Sequence, residues 1–318
     1  MLPDNKKVVI FIVGPTAAGK TSLSLSLAQK LPVEIVSADS RQIYKYLNIG
    51  TAKPSKEVLQ DLPHHFVDIL EPDEYYSAGQ FSLDARKVID QIFNRGNLPL
   101  VVGGSGLYLK ALLEGFFTGN ISNLKIRESL QQRLLREGSE ALHQDLLKVD
   151  RLSAEKIHPR NSTRILRALE VYLSSGDRLS ELQKAKIPPP NFSPLKFGIV
   201  KERELLYHDI DQRVEEMFQK GLLGEAANIL EMGYDQNLNS LNTVGYKEVI
   251  QYLNGEIDYQ SCVTLIKQNS RHYAKRQLTW FRPDKDIRWH KIENKGDVER
   301  LAGEIFKIYQ DRLENLHS

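Results

Sequence analysis

The sequence has a single cysteine, Cys262, among its 318 residues. One thiol excludes an internal disulfide and any zinc site built from several cysteines, and it is typical of proteins in a reducing compartment. The sequence also lacks an apolar run long enough to cross a bilayer, and its first apolar run, Val8–Val13, leads into a glycine-rich turn rather than a signal-peptide cleavage site. We therefore expect a cytoplasmic protein with no membrane partner.

Neither sign of charge is in excess, because 43 Lys and Arg residues balance 41 Asp and Glu residues to a net charge of +2. A nucleic-acid partner would therefore need a local basic surface rather than bulk charge. Hydrophobic residues make up 41% and charged residues 26% of the chain, a composition that excludes wholesale disorder and fibrous repeats. The length fits about two domains, or one large core with an insertion.

The first hundred residues alternate between strand and helix patterns. Runs rich in β-branched residues predict buried strands at Val8–Val13, Val33–Ala38 and Leu98–Val102. Apolar residues at helical spacing predict helices over Thr21–Lys30 and Ser82–Asn94. Strands that alternate with helices predict an α/β fold with a parallel sheet flanked by helices.

The pattern changes to long charged helices between about Leu124 and Leu182, with no strand pattern among them. The helical stretches are Ile126–Glu137, Ser139–Val149, Ser153–Ile157 and Ser162–Leu173. The proline-rich segment Lys186–Asn191 predicts an extended linker, and Leu195–Val200 predicts a strand that returns to the sheet. We therefore predict a core over residues 1–122, an all-helical insertion domain over 123–190 and a second, mostly helical part of the core over 191–318.

A glycine-rich motif joins the first predicted strand to the first predicted helix. Its residues, Gly14, Pro15, Thr16, Ala17, Ala18, Gly19, Lys20 and Thr21, match the P-loop pattern G-x-x-x-x-G-K-[ST]. In this context the backbone N–H groups, the helix N-terminus and Lys20 would surround an anion, and the Thr21 hydroxyl could bind Mg²⁺. The loop alone leaves open whether the anion is a nucleoside triphosphate or another diphosphate.

The ends of the other two strands bear on that choice. A nucleoside triphosphatase of this class normally holds Mg²⁺ with an acid after a second buried strand, but Leu98–Val102 is followed by Gly103-Gly104-Ser105-Gly106. That turn could approach a ligand closely, or Ser105 could cap the next helix. Asp39 follows Val33–Ala38 and should face the ligand crevice, as a general base, a group that supports Mg²⁺, or the cap of a turn.

Histidines and basic residues offer two further candidate sites. His64 and His65 are adjacent and have no third ligand nearby, which favours packing or hydrogen bonding over metal binding. One-sided basic rows are predicted on two helices, where they could be solvated or ion-paired, or could bind a phosphate backbone across the junction of core and insertion. The rows are Arg160, Arg164 and Arg167, and Lys267, Arg271 and Lys275, the second followed by Arg276 and Trp280.

Seven motifs of this sequence, in register between about residues 7 and 289, resemble those of the bacterial tRNA dimethylallyltransferases. They are Gly14–Thr21, Asp39–Tyr44, Gly50–Pro54, Gly103–Tyr108, Arg164–Glu170, Val244–Lys247 and Lys275–Trp280. The zinc finger of the eukaryotic branch needs more than one cysteine, which leaves the bacterial type. The resemblance implies a P-loop NTPase-like core and a monomeric enzyme that moves a dimethylallyl group from dimethylallyl diphosphate to the N6 amine of the adenosine 3′ of the tRNA anticodon.

The resemblance also implies roles for individual residues. Asp39 would take the N6 proton, while Lys20, Thr21, Ser105 and Arg213 would surround the leaving diphosphate with Mg²⁺, which Thr21 would bind. The P-loop would then hold a prenyl diphosphate instead of ATP, and the adenine would flip out of its stack to reach it. The implied tRNA-binding residues are Asp39, Ser40, Arg41, Gln42, Ser105, Arg127, Thr163, Arg164, Ile165, Leu166, Arg167, Asn242, Thr243, Val244, Gly245, Tyr246 and Lys247, to which the basic rows add Lys275 and Arg276.

Two positions depart from the family pattern. Ser105 stands where threonine is usual, which keeps the hydroxyl, and Asp209 stands where arginine is common, one helical turn before Arg213. Asp209 could orient Arg213 or partly neutralise it. The alternative enzyme is a small-molecule kinase that holds ATP on Lys20 and Thr21, and the non-enzymatic alternative is an RNA-binding module with an inactive P-loop.

Overall fold

The computed structural model describes residues 7–115, 123–184 and 188–314. These residues form two compact units, of which the first lies within 1–76, 84–110 and 190–318 and the second within 77–83 and 111–189. None of the helices in the described ranges is long and apolar enough to span a membrane.

The first unit is built on one six-stranded sheet. Its strands are β1 (Val8–Val13), β2 (Val33–Ala38), β3 (His64–His65), β4 (Leu98–Gly103), β5 (Ser193–Val200) and β6 (Arg288–Lys291). They follow the order β3-β2-β4-β1-β5-β6, and every pairing is parallel. Every residue of β1 and β2 is buried, as expected for strands covered by helices on both faces. The predicted α/β class with a parallel sheet is confirmed.

Helices make up most of the remaining described chain. They are α1 (Lys20–Ala28), α2 (Lys56–Asp61), α3 (Ala78–Asn94), α4 (Gly106–Glu114), α5 (Leu124–Val149), α6 (Arg151–Lys156), α7 (Ser162–Ser175), α8 (Leu179–Leu182), α9 (Arg203–Gln219), α10 (Leu222–Glu231), α11 (Tyr246–Leu253), α12 (Tyr259–Phe281) and α13 (Lys295–Glu314). One core cluster of the first unit joins Ile10 of β1, Leu23 of α1, Phe197 of β5 and Leu301 of α13. This packing covers one face of the sheet.

The two outermost strands of the sheet, β3 and β6, were not among the predicted strands. They have two and four residues, too few for a periodic pattern to develop. His64 and His65 form β3, and His65 Nε2 lies 2.7 Å from Glu34 Oε2. This contact gives His65 the hydrogen-bonding role that its sequence context favoured.

The second unit is helical. Its core joins Leu130, Leu142 and Leu146 of α5 to Ile165 and Leu169 of α7. Helix α5 bends at Gly138, whose φ of 80° is not helical, at the break between the two helices predicted there. The unit also takes in 77–83 and 111–115, which the sequence analysis assigned to the core. Residues 116–122 and 185–187, which include part of the predicted linker, lie outside the described residues.

Candidate active site

The loops that follow β1, β2 and β4 border a cavity of about 410 Å³. The carboxyl ends of parallel strands are where open α/β sheets bind their ligands. The cavity is lined by residues 16–22 of the P-loop, 39–42 after β2, 50–52, Gly104 after β4, and 242–245, together with side chains of α9 and α12 such as Arg213 and Tyr273. The structure thus brings the P-loop and Asp39 to one cavity.

The P-loop depends on glycine at two positions. Gly14 has a φ of 152°, and a Cβ there would lie 2.5 Å from the carbonyl oxygen of Ile199 on neighbouring β5. Gly19 has a φ of 99° immediately before α1. Only glycine adopts such conformations without strain, so these residues allow the chain to turn sharply from the sheet into the helix and to aim the helix N-terminus at the cavity.

Lys20 is held inside its own loop. Its Nζ donates hydrogen bonds to the carbonyl oxygens of Gly14 at 3.0 Å and Pro15 at 2.7 Å. Loss of hydration, and then the positive charge of Arg213, lower the pKa of Lys20 to about 8, although Asp39 opposes this shift. The ammonium group is therefore a poorly solvated cation, which a bound anion would stabilise.

Arg213 of α9 contacts the P-loop through a hydroxyl group. Its NH1 donates to Thr16 Oγ1 at 3.2 Å, and burial lowers the pKa of its guanidinium. Asp209, which the sequence placed near Arg213, forms an ion pair with Lys201 instead. Thr16 therefore orients Arg213 directly, while Asp209 acts on it only through its charge, which raises the pKa of Arg213.

Asp39 caps the turn after β2. Its Oδ1 accepts hydrogen bonds from the backbone N–H groups of Arg41 at 2.8 Å and Gln42 at 3.3 Å, as the capping alternative predicted. Its Oδ2 has no hydrogen-bond partner within the described residues, and the residue lines the cavity. The cap fixes the carboxylate through Oδ1 and leaves Oδ2 able to accept a further hydrogen bond.

The side chains of Arg41 and Gln42, which follow Asp39, bind backbone carbonyl groups of neighbouring loops. Gln42 Nε2 donates to the carbonyl oxygens of Thr51 at 3.1 Å and Ala52 at 3.2 Å. Arg41 NH1 donates to the carbonyl oxygen of Asn239 at 2.5 Å. Both side chains, which the resemblance implied to bind tRNA, are thus engaged with backbone carbonyl groups in this structure.

Glu225 of α10 fixes the next part of the wall, a role that sequence reasoning missed. Its carboxylate accepts the N–H groups of Asn48, Ile49 and Gly50 and the hydroxyl of Tyr246 at 2.5 Å. A Cβ on Gly50 would lie 2.4 Å from the Tyr246 ring, which explains the glycine. No motif marks Glu225, because the loop that it binds lies about 175 residues earlier in the chain.

Two predicted tRNA-binding side chains are completely buried. Tyr246 packs under the 48–50 loop, where burial raises the pKa of its hydroxyl, and Ile165 lies in the core of the helical unit. Neither side chain presents surface to a partner, and tRNA binding at these two positions stays a prediction. Thr163 and Arg164 of α7 are exposed.

Ser105 lies at the start of α4. Its N–H donates to the carbonyl oxygen of Ala38 at 3.1 Å, and its carbonyl oxygen accepts from Leu109 N–H at 3.1 Å. The described lining of the cavity reaches Gly104 but does not include Ser105. Ser105 thus precedes α4 and joins it through its backbone carbonyl, and its role at the diphosphate stays a prediction.

The basic rows divide into paired and exposed residues. On α12, Lys267 forms an ion pair with Glu215 at 2.6 Å and Arg271 with Asp211 at 3.0 Å, as the ion-pair alternative predicted. Lys275 is exposed. Arg276 is also exposed, and its guanidinium lies 5.8 Å from the Tyr273 ring centroid.

In the helical unit, two predicted RNA-binding arginines share one buried acid. Arg127 lies 3.5 Å and Arg167 3.0 Å from the carboxylate of Glu170, which is 1% exposed. Because the buried Glu170 carboxylate contacts both guanidinium groups, it orients them as a pair.

Gln277 of α12 is the second residue that sequence reasoning missed. It stands inside one of the seven motifs, but its type and spacing indicate no role. In the structure its buried amide joins the P-loop to the turn after β4, through Thr16 and Gly104. The signal that could have found it is a polar residue on the buried face of a helix, one position after two exposed cations.

Known proteins resemble this chain over most of its length. A family model described as IPP transferase matches residues 42–284. The tRNA dimethylallyltransferase of Pelotomaculum thermopropionicum is 44% identical, over 98% of this chain and 100% of its own, and that of Thermotoga neapolitana is 44% identical over 92% and 95%.

Solved structures resemble this chain as well. The tRNA isopentenylpyrophosphate transferase of Bacillus halodurans has 35% identity and a TM-score of 0.71, over 99% of this chain and 100% of its own. A eukaryotic dimethylallyltransferase acting on tRNA has 28% identity and a TM-score of 0.81, over 97% and 80%. With a family model over most of its length and relatives above 40% identity, the chain belongs to the IPP transferase family, that of the tRNA dimethylallyltransferases.

Proposed function

We propose that this protein transfers the dimethylallyl group of dimethylallyl diphosphate to the N6 amine of the adenosine 3′-adjacent to the anticodon in tRNA and releases diphosphate. The observation that carries the proposal is a single cavity with two desolvated cations, Lys20 and Arg213, and a fixed carboxylate, Asp39. Family membership supports the same reaction, and nothing in the comparisons favours the kinase alternative.

The reaction breaks the bond between C1 of the dimethylallyl group and the bridging oxygen, and it forms a bond between C1 and N6. The N6 amine then loses one proton, which Asp39 accepts on Oδ2. Because Oδ1 already accepts two backbone N–H groups, the carboxylate cannot rotate freely. A fixed base of this kind contributes to catalysis by its position as well as by its basicity.

Lys20 and Arg213 stabilise the leaving group. Negative charge grows on the bridging oxygen as the C1–O bond breaks, so cations positioned in advance act most strongly in the transition state. Both groups have lowered pKa values because they are poorly solvated. The diphosphate would replace the lost solvation, raise the pKa of Lys20 and keep it protonated.

Mg²⁺ fits this site as a companion of the diphosphate. Within the described residues no group of three or more His, Cys, Asp or Glu side chains could hold a metal ion, but the Thr21 hydroxyl and the Asp39 carboxylate border the same cavity. Mg²⁺ usually keeps several waters and binds one or two protein oxygens together with substrate phosphates. Thr21 would bind it, and the ion would neutralise charge on the leaving diphosphate.

Exposed cations would bind the phosphates of the tRNA anticodon stem-loop, such as Lys275 and Arg276 of α12 in the first unit and, separately, Arg164 of α7 in the second. These contacts supply affinity without reading the base. The target adenine must leave its stack to bring N6 to Asp39. We propose that the enzyme acts on tRNA in the cytoplasm as a monomer.

Mass spectrometry of nucleosides tests the proposal. An unmodified tRNA anticodon stem-loop is incubated with the protein, Mg²⁺ and dimethylallyl diphosphate, and we expect N6-dimethylallyl adenosine only at the position 3′ of the anticodon. The control RNA carries guanosine at that position and should stay unmodified. If the RNA stays unmodified and the protein transfers a phosphoryl group from ATP to a small molecule, the proposal is overturned in favour of a kinase.

A further inference from the structure

Gln277 uses both ends of its side-chain amide to join two loops of the cavity. Its Oε1 accepts the backbone N–H of Thr16 at 2.9 Å, and its Nε2 donates to the carbonyl oxygen of Gly104 at 3.0 Å. An N–H can only donate and a carbonyl can only accept, so these partners set the orientation of the amide. The residue is only 6% exposed, so neither bond competes freely with water.

The contacts continue from Thr16 to a proposed catalytic group. The Thr16 hydroxyl accepts a hydrogen bond from Arg213 NH1 at 3.2 Å, while the backbone N–H of the same residue is held by Gln277. A continuous series of hydrogen bonds therefore runs from Gly104 through Gln277 and Thr16 to Arg213. It connects the loops after β4 and β1 with the guanidinium that faces the diphosphate in the proposed reaction.

Gly104 supplies an independent observation. A Cβ at this position would lie 2.0 Å from Nε2 of Gln277, closer than any two such atoms can approach. The φ of Gly104 is not in the left-handed region, so its backbone conformation does not itself require glycine. The absence of a side chain at Gly104 makes room for the Gln277 amide.

We propose that Gln277 is a positioning residue for the diphosphate pocket, a role that rests on the proposed function. Gln277 lines the cavity, but both ends of its amide are engaged by backbone groups, so its role is to hold the loops in place. Through Thr16 it sets the place of Arg213, and through Gly104 it ties the P-loop to the turn after β4. The same helix turn presents Lys275 and Arg276 to solvent, so the helix that offers cations to RNA also holds the pocket for the leaving group.

Two substitutions separate this role from simple packing. Gln277→Met keeps the volume of the side chain and removes both hydrogen bonds. Gln277→Glu keeps an acceptor for Thr16 N–H, but its carboxylate cannot donate to Gly104 and adds negative charge beside the anion site. Gln268→Glu is the matched control, because it makes the same chemical change at an exposed position of α12.

The measurements are binding of inorganic diphosphate by calorimetry, kcat and KM for dimethylallyl diphosphate, tRNA affinity and thermal melting. We expect both Gln277 variants to weaken diphosphate binding by roughly tenfold or more, since a buried donor or acceptor loses its partner, with tRNA affinity unchanged. The Glu variant should recover relative to wild type as pH falls, because a protonated carboxyl can donate to Gly104. Gln268→Glu should match wild type in every measurement.

A double-mutant cycle checks the geometry. Gly104→Ala should weaken diphosphate binding in the wild-type background, because the new Cβ displaces the Gln277 amide. In a Gln277→Ala background the same change should cost little, because the group that it meets is gone. Equal costs in both backgrounds would overturn the proposed contact.

The remaining outcomes also decide the question. If the Gln277 variants only lower the melting temperature and keep diphosphate affinity, kcat and KM, the residue is scaffold and the proposal is wrong. If wild-type protein makes no prenylated nucleoside but binds diphosphate in a Gln277-dependent way, the proposed function fails and the positioning role stands.

Discussion

The two ends of the parallel sheet differ in whether their charged groups have partners. At the amino end of β2, Glu34 accepts hydrogen bonds from Arg95 at 2.9 and 2.7 Å and from Asn97 at 2.8 Å. These bonds, with one from His65, lower the pKa of Glu34 to about 2. At the carboxyl end, Lys20 and Arg213 form no direct ion pair within the described residues, and the pKa values of both are lowered.

The two lowered pKa values have opposite effects on stability, because Glu34 is an acid and Lys20 is a base. Glu34 has a folded pKa below its usual value, so its ionised form stabilises the fold above about pH 4.5 and loses that contribution as pH falls toward 2. Lys20 also has a lowered pKa, but for a cation this means that the charged form opposes folding near neutral pH. The carboxyl end of the sheet thus keeps two cations without a direct ion pair among the described residues, and in the proposed reaction the diphosphate would pair with them.

The largest effect should follow from removal of the base. Asp39→Asn should lower turnover by roughly 10²–10⁴-fold, because the amide cannot accept the N6 proton. Its Oδ1 can still accept the two backbone N–H groups that cap the turn, so diphosphate affinity should stay within a few-fold of wild type. Single-turnover kinetics measure the effect, and near-normal turnover would remove Asp39 from the mechanism.

At the other end of the sheet, Glu34→Gln should lower the free energy of unfolding by on the order of 3 kcal/mol near neutral pH, from the shift of its pKa from 4.5 to about 2. The difference from wild type should vanish as pH falls below 4.5 toward 2. Denaturant titrations at several pH values measure it. Glu231→Gln, at an exposed position of α10, is the control and should show no such loss. Activity per folded molecule should be unchanged, and a loss of activity would mean that the two ends are coupled.

Lys20 should make diphosphate binding weaker as pH rises, whereas the contribution of Glu34 to stability is lost as pH falls. The part of the affinity that depends on Lys20, measured as the ratio of wild type to Lys20→Arg, should be constant below about pH 8 and then fall by up to roughly tenfold per pH unit, since the free lysine loses its proton through its pKa of about 8. Lys20→Arg, which does not titrate in this range, is the control and should remove that part of the slope. Lys20→Met should bind diphosphate weakly yet melt at a higher temperature. A lower melting temperature would contradict the contrast with Glu34.

The smallest effect concerns the basic row of α12, in which Lys267 and Arg271 form ion pairs and Lys275 is exposed. Lys275→Ala should reduce the slope of log K against log salt for tRNA binding by up to roughly one unit, because this lysine is exposed. Arg271→Ala is the matched control, since its guanidinium already pairs with Asp211, and it should lower stability and leave the slope unchanged. Equal slopes for Lys275→Ala and wild type would remove Lys275 from the RNA-binding surface.

The sequence by itself determined the features that depend on neighbouring residues. The runs rich in β-branched residues at Val8–Val13 and Val33–Ala38 are buried along their whole length, as the strands of a parallel sheet covered by helices are. The P-loop pattern needs only eight consecutive residues and the strand and helix beside them. The position of Asp39 after β2 indicated a place at the ligand crevice, because parallel strands present their carboxyl ends at the same edge.

Only the tertiary structure decided how distant residues complete the cavity. Glu225 binds the loop at Gly50, and Gln277 binds Thr16 across 261 positions of sequence, so no local spacing could reveal either role. It also decided that Tyr246 is buried and that Lys267 is ion-paired while Lys275 is exposed. The physical reason is that periodicity shows which face of a helix is polar, whereas the free energy of each charge depends on the groups that the fold brings against it.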